Sequence, residues 1–233
     1  MTGSRFWRRY FEVYDTLNLF IPYQELLKIV CDELDIRPGD RVLEAGCGTG
    51  NLAIKIKEKG GDVVGLDNCK EALDLYREKD RSANVILADL TQKLPFPDEF
   101  FDKIACSNTL YAIPKEKQLF VLKEFYRVLR HGGRLVLVNP KKESKTIDLY
   151  VRGIRKNFRE EGFFKTLYKI IKLSLATLKI LYYNECLLKK EKRFHFFEEK
   201  EQESLLKKAG FEEILSVINV YEEQDILVCS RKR

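Results

Sequence analysis

Arg41-Val-Leu-Glu-Ala-Gly-Cys-Gly-Thr-Gly-Asn-Leu52 is a short apolar run, an acidic residue and then a turn with glycine at every second position. Arg41 to Ala45 has the composition of a buried strand, and Gly46, Gly48 and Gly50 allow a ligand to approach the backbone closely. From Asn51 onward the pattern becomes helical. The turn therefore stands at the carboxyl end of a strand and the amino end of a helix, where open α/β sheets bind ligands. A dinucleotide fingerprint reads G-x-G-x-x-G. The G-x-G-x-G spacing here argues against a nicotinamide oxidoreductase, and Glu44 would repel a pyrophosphate while attracting a cationic ligand.

The flanking sequence builds a sheet around this turn. Upstream, one helix is expected through Trp7 to Asp15 and another from Pro22 to Leu34, with Arg37-Pro-Gly-Asp40 turning into the first strand. Downstream, strands are expected at Asp62–Asp67, Asn84–Leu90, Lys103–Ser107, Arg134–Val138, and near Ile214–Val220 and Ile226–Ser230. Helices are expected over Lys117–Leu129, ended by the loop Arg130-His-Gly-Gly133, and over Glu198–Ala209 with a Gly210 cap.

The run E-x-G-x-G-x-G after a strand resembles motif I of the class I S-adenosylmethionine-dependent methyltransferases. Leu94-Pro-Phe-Pro-Asp-Glu-Phe-Phe-Asp102 is similar to that family's lead into its fourth strand, and Ala-Gly-Phe-Glu212 before a strand is also family-like. Tyr14-Asp15 resembles the leader of the branch acting on small molecules, quinones and phospholipids. The resemblance implies a Rossmann-like, seven-stranded, mostly parallel sheet with helices on both faces. It implies S-adenosylmethionine as cofactor, held by Tyr14, Glu44, Gly46, Cys47, Gly48, Gly50, Asp67, Asn68, Asp89, Leu90 and Ser107. In this set Asp67 accepts from the ribose hydroxyls. Asp89 meets the adenine amino group, which can only donate. Asn108-Thr-Leu-Tyr111 keeps the ends of a nucleic-acid amino-methyltransferase motif but lacks both prolines, which disfavours that chemistry. No general base is indicated. Tyr111 and His195 stand as bases by position alone, and His131 reads as structural.

The resemblance covers a core of residues 1–140 and 196–233 and leaves 141–195 as an insertion, expected to be a helical lid. Lys141 to Arg193 carries a net charge of +9, whereas the remainder of the chain carries −3. Lys165, Lys169, Lys172 and Lys179 share a helical stripe, with Phe164, Leu167, Tyr168, Ile171, Leu175, Leu178 and Tyr182 on the other faces. Such a helix either buries its apolar side on the domain and solvates its lysines, or lies along an anionic membrane through residues 163–183. The six cysteines contain no C-x-x-C pair, so neither a metal nor a disulfide framework is expected. With no signal-like or membrane-spanning run, a cytoplasmic location is expected. The acceptor indicated is a small or lipid-like molecule. The alternatives are an RNA methyltransferase, disfavoured by the absence of a nucleic-acid module, and a non-catalytic cofactor-binding regulator, disfavoured by retention of Glu44, Asp67 and every turn glycine.

Overall fold

The computed structural model describes residues 11, 14–183 and 194–233. Its centre is a seven-stranded sheet of β1 (Arg41–Ala45), β2 (Asp62–Asp67), β3 (Asn84–Leu87), β4 (Phe101–Ser107), β5 (Leu129–Pro140), β6 (Glu213–Val220) and β7 (Asp225–Arg231). The spatial order is β3-β2-β1-β4-β5-β7-β6. The first five strands are parallel, and β7 runs antiparallel between β5 and β6. Parallel strands covered on both faces carry continuous apolar runs, and successive residues alternate between the faces. Leu43, Ile104, Leu135, Leu137 and Val228 thus enter one buried cluster, with Val121, Leu122 and Phe125 of a helix. Val42, Ala105, Val136, Val138 and Leu227 enter the other, with Leu26 and Val30 of a different helix.

The helices are α1 (Ile21–Leu34), α2 (Asn51–Glu58), α3 (Lys70–Lys79), α4 (Lys115–Val128), α5 (Thr146–Glu161), α6 (Phe163–Leu181) and α7 (Glu201–Ala209). The expected helix over Trp7–Asp15 falls largely outside the described residues. Phe11 and Tyr14 are helical, and Asp15–Leu19 tightens into a 3₁₀ turn.

Several boundaries differ from the sequence reading. Arg130-His-Gly-Gly133 is not a loop, because β5 begins at Leu129, which pairs with Phe101 across a bulge. Gly132 sits at φ +74°, and the backbone on either side bonds to Lys232. These glycines accommodate an irregular strand rather than close a helix. β3 ends at Leu87, which leaves Asp89 and Leu90 just beyond it. α7 starts at Glu201 because Lys200, at φ +64°, cannot be helical.

The Leu94–Asp102 stretch is structural. Arg127 donates to the Leu94 and Phe96 carbonyls at 3.1 and 2.8 Å, and Glu124 accepts from the Leu94 N–H at 2.8 Å. Asp102 accepts from the Arg41 N–H at 2.6 Å and pairs with Arg130, which ties β1, β4 and β5 together. His131 bonds the Arg233 carbonyl at 2.7 Å and Glu99 at 3.0 Å, at the far end of the sheet.

Among the described residues of 141–195 the chain forms two helices, α5 and α6, joined at Gly162 with φ +82°. α6 presents its smaller, more polar side to the domain. Thr166 and Ile180 are buried, and Thr177 lies beside the Tyr150 hydroxyl. Lys169 differs from the other lysines of its stripe: its ammonium bonds Glu161 at 2.6 Å and the Leu19 carbonyl at 2.8 Å. About 40° to 80° of helical rotation separate it from the others, less than one residue step. Phe164 and Leu175, at 84% and 75% exposure, face outward together with Tyr168, Ile171, Leu178 and Tyr182.

Candidate cofactor and acceptor site

A cavity of about 490 Å³ opens over the carboxyl ends of the parallel strands and extends to α5 and α6. Its size falls within the range of small-molecule sites. Tyr14, Glu44, Gly46, Cys47, Gly48, Asp67, Asn68, Asp89, Leu90 and Ser107 all line it. Gly50 does not. At φ +76° it caps α2, and a Cβ there would meet the Tyr76 ring at 2.2 Å, so its role is helix packing rather than ligand contact.

The glycine turn is held from two sides. The Gly46 and Cys47 N–H groups donate to the Leu66 carbonyl at 2.7 and 3.0 Å, extending the β1–β2 pairing into the turn. Gly46 lies at φ +78°, and any Cβ would overlap the Thr109 side chain at 2.2 Å. Thr109 Oγ1 in turn donates to the Ser107 and Gly46 carbonyls at 3.1 and 3.3 Å. On the outer side Asp15 Oδ1 accepts from Thr49 Oγ1 at 2.6 Å, Asn51 Nδ2 at 3.0 Å and Lys79 Nζ at 3.1 Å. These bonds fix the 3₁₀ turn on α2 and α3 and place Tyr14 over the cavity.

Two carboxylates flank the turn. Asp67 Oδ2 accepts from the Gly48 N–H and Oδ1 from the Cys69 N–H, both at 2.8 Å. Burial raises its pKa, and those backbone donors oppose the shift. Glu44 is buried, and its Oε2 has no hydrogen-bond partner. Burial holds its carboxyl well above the usual range, with the nearby Asp67 charge adding to the shift and the Ala53 backbone bond and Lys79 opposing it. A buried carboxyl oxygen with a vacant lone pair is costly unless a donor or cation reaches it. A cationic ligand with amino and hydroxyl donors supplies what Glu44 and Asp67 lack. Asp89 is exposed at the rim, and its Oδ1 accepts from the Thr91 N–H at 2.8 Å.

The cavity's other end combines residues that pattern alone did not bring together. Asn108, at φ +50°, sets its side chain against Asp225, the first residue of β7. Asp225 is buried and lines the cavity, and its Oδ2 has no partner. Burial pushes its carboxyl up to about 7, with Asn108 and Lys141 opposing the shift. Tyr14 and Tyr23 meet hydroxyl to hydroxyl at 3.3 Å, and Tyr111 lies buried nearby. Desolvation raises all three phenols, so none is suited to act as a base at neutral pH. His195 does not line the cavity and bonds Glu201 at 2.7 Å. The sequence offered one mark for Asp225: a single acid opening an otherwise apolar strand after a polar turn.

Residues 43–137 match the family model described as a methyltransferase domain. That central stretch is similar to a methyltransferase domain. Among curated relatives, demethylmenaquinone methyltransferase of Listeria welshimeri is 32% identical over 140 residues, which are 54% of this chain and 57% of that protein. The chain thus matches little more than half the length of that relative. The protein of the same name from Oceanobacillus iheyensis is 25% identical over 86% of this chain and 83% of its own. The fold of the methyltransferase domain extends to magnesium protoporphyrin IX methyltransferase of Synechocystis, solved with bound SAH. That structure has a TM-score of 0.61 at 18% identity and covers 91% of this chain and 84% of that one. No group of side chains suited to a metal ion occurs among the described residues, and no described helix is long and apolar enough to cross a membrane.

Proposed function

We propose that the protein is an S-adenosylmethionine-dependent methyltransferase acting on a small, quinone-like or lipid-like acceptor. The observation that carries this reading is the buried, partnerless Glu44 oxygen beside Asp67 and the glycine turn, a donor-poor acidic site that suits a polyhydroxylated cation. When bound, that cofactor supplies an activated methyl group on a cationic sulfur. Glu44 and Asp67 bind its donors, Asp89 and Leu90 read its base, and Tyr14 and Tyr111 exclude water from the acceptor end. The names of the Listeria and Oceanobacillus relatives support a quinone-type acceptor, and the aromatic residues of the cavity suit a planar one. Isothermal titration tests the reading directly: S-adenosylhomocysteine is expected to bind, and its failure to bind would remove the reading.

Asp89 carries a separate prediction. Replacing the adenine amino group with a carbonyl sets two acceptors face to face, at a cost of about 1–3 kcal/mol, or roughly 5- to 150-fold in affinity. Equal competition by the inosine analogue would place Asp89 away from the base.

The outward face of α6 supports a second element of the reading, peripheral binding to an anionic bilayer. Phe164, Tyr168, Ile171, Leu175, Leu178 and Tyr182 form an exposed row, and Lys165, Lys172 and Lys179 run beside it at seven-residue spacing. Each lysine near a charged surface contributes about 1 kcal/mol, so reversing all three to Glu is expected to cut binding to phosphatidylglycerol vesicles by at least ~100-fold. Wild-type protein that does not co-sediment with such vesicles at low salt, or a row buried by self-association in their absence, would remove this element.

A further inference from the structure

β7 is antiparallel, so its first residue rather than its last lies at the ligand edge of the sheet, where Asp225 pairs with Pro140 at the end of β5. The turn that delivers it, Tyr221 to Glu223, has three successive non-glycine residues at φ +54°, +54° and +65°. Left-handed backbone costs roughly 1–2 kcal/mol per residue and survives only where surrounding contacts enforce it. Lys145 N–H donates to Gln224 Oε1 at 2.6 Å, and the Lys141 N–H to the Gln224 carbonyl at 2.9 Å, pinning this turn to the chain leaving β5. Asn108, itself left-handed, brings its side chain against the carboxyl from the end of β4. The carboxyl lines the cavity, and its Oδ2 is buried and partnerless. A carboxylate serving only the fold would have its lone pairs satisfied.

Resting on the methyltransferase reading above, we propose that Asp225 is the proton acceptor of the reaction, and that the acceptor's nucleophile carries an acidic hydrogen, as an aromatic hydroxyl does. The acceptor's O–H bond breaks and its proton moves to Asp225 Oδ2. The bonding pair stays on the acceptor as the nucleophile, and the carboxylate becomes a neutral carboxylic acid that later returns its proton to water. Asn108 lies against this carboxyl, which stands in the cavity wall. The titratable and charged groups that face Asp225 are Tyr14 from the leader, Tyr111 after β4 and Lys141 after β5. The phenols remain neutral across the working range, so at this end of the cavity Asp225 is the carboxyl whose ionisation an acid limb would report, Glu44 and Asp67 standing apart at the glycine turn. Its carboxyl, raised to about 7 by burial, passes between acid and base near neutral pH, as a proton acceptor must.

The test uses the whole chain labelled with carboxyl-¹³C aspartate and saturated with S-adenosylhomocysteine, the Asp225 signal being assigned by its loss in Asp225→Asn. The signal is expected to titrate well above an ordinary aspartate. Adding 2-naphthol is expected to move its midpoint to lower pH, because a hydroxyl donating to the carboxylate favours the charged form. Naphthalene, which lacks the hydroxyl, is expected to leave it unchanged. Methyl transfer to anaerobic 1,4-dihydroxynaphthalene is expected to fall about 10²- to 10⁴-fold in Asp225→Asn with loss of the acid limb of kcat/KM, and Asp225→Glu is expected to restore the limb in part. An ordinary aspartate midpoint, a midpoint indifferent to 2-naphthol, or an acid limb that persists in Asp225→Asn would each overturn the proposal. Failure of S-adenosylhomocysteine to bind the wild type would instead overturn the methyltransferase reading.

Discussion

Asn139→Leu is expected to lower the stability of the fold by about 2–6 kcal/mol, because it strands two buried polar groups at about 1–3 kcal/mol each. Asn139 lies fully buried near the end of β5. Its Oδ1 accepts from the Tyr111 N–H at 3.0 Å, and its Nδ2 donates to Gln202 Oε1 at 3.0 Å. Gln202 continues the chain to the Ile226 carbonyl at 3.2 Å. From the other side, Gln118 Nε2 donates to the Leu110 and Ile113 carbonyls, both at 3.1 Å. The short turn carrying Tyr111 into the cavity is therefore held by a buried side-chain network rather than by the sheet ladder. Leucine has similar bulk, so the loss reflects unpaired Tyr111 and Gln202 groups rather than a void. Denaturant unfolding reads the change. Adding Gln202→Leu is expected to cost less than it does alone, because the two act as one unit. A midpoint equal to wild type, or strict additivity of the pair, would show that the network is not coupled.

The second large effect is expected on ligand affinity. Asp67→Ala removes two lone-pair sites for ribose hydroxyls, at roughly 1.5–3 kcal/mol, which corresponds to about 10- to 150-fold weaker binding of S-adenosylmethionine and S-adenosylhomocysteine. It also frees the Gly48 and Cys69 N–H groups that Asp67 now holds. A small drop in stability is expected alongside, and Asp67→Asn, which keeps one acceptor oxygen, is expected to lose less on both counts. Calorimetry that finds the alanine variant binding as tightly as wild type would show that the ribose is held elsewhere.

How far the sequence could be read follows from which signals are local. The strand Arg41–Ala45, the glycine turn and the acid ending β2 are local patterns, and each stands where its pattern put it. The order of the sheet follows from the family resemblance. Arg130 to Gly133 misleads because glycines after a helix usually terminate it, whereas here tertiary pairing of Leu129 with Phe101 overrides the cap. Gly50 sits in the ligand turn by spacing, yet its missing side chain makes room for Tyr76. Asp225 is far in sequence from the glycine turn and the acids beside it, and only the reversal of β7 brings it to the same cavity. Periodicity showed that α6 is two-sided but not which side meets the domain. Thr166, Thr177 and Ile180 decide that, by packing inward while the larger apolar residues face out.

That orientation bears on how such a protein would meet its substrate. With the outward row of α6 seated in a lipid leaflet, encounter becomes a search in a plane rather than in a volume. The quantity that sets saturation is then the acceptor's mole fraction in the lipid, and diluting the vesicles at fixed composition leaves the rate per bound protein unchanged. Surface dilution with an inert lipid lowers that rate even when the total amount of acceptor is held constant.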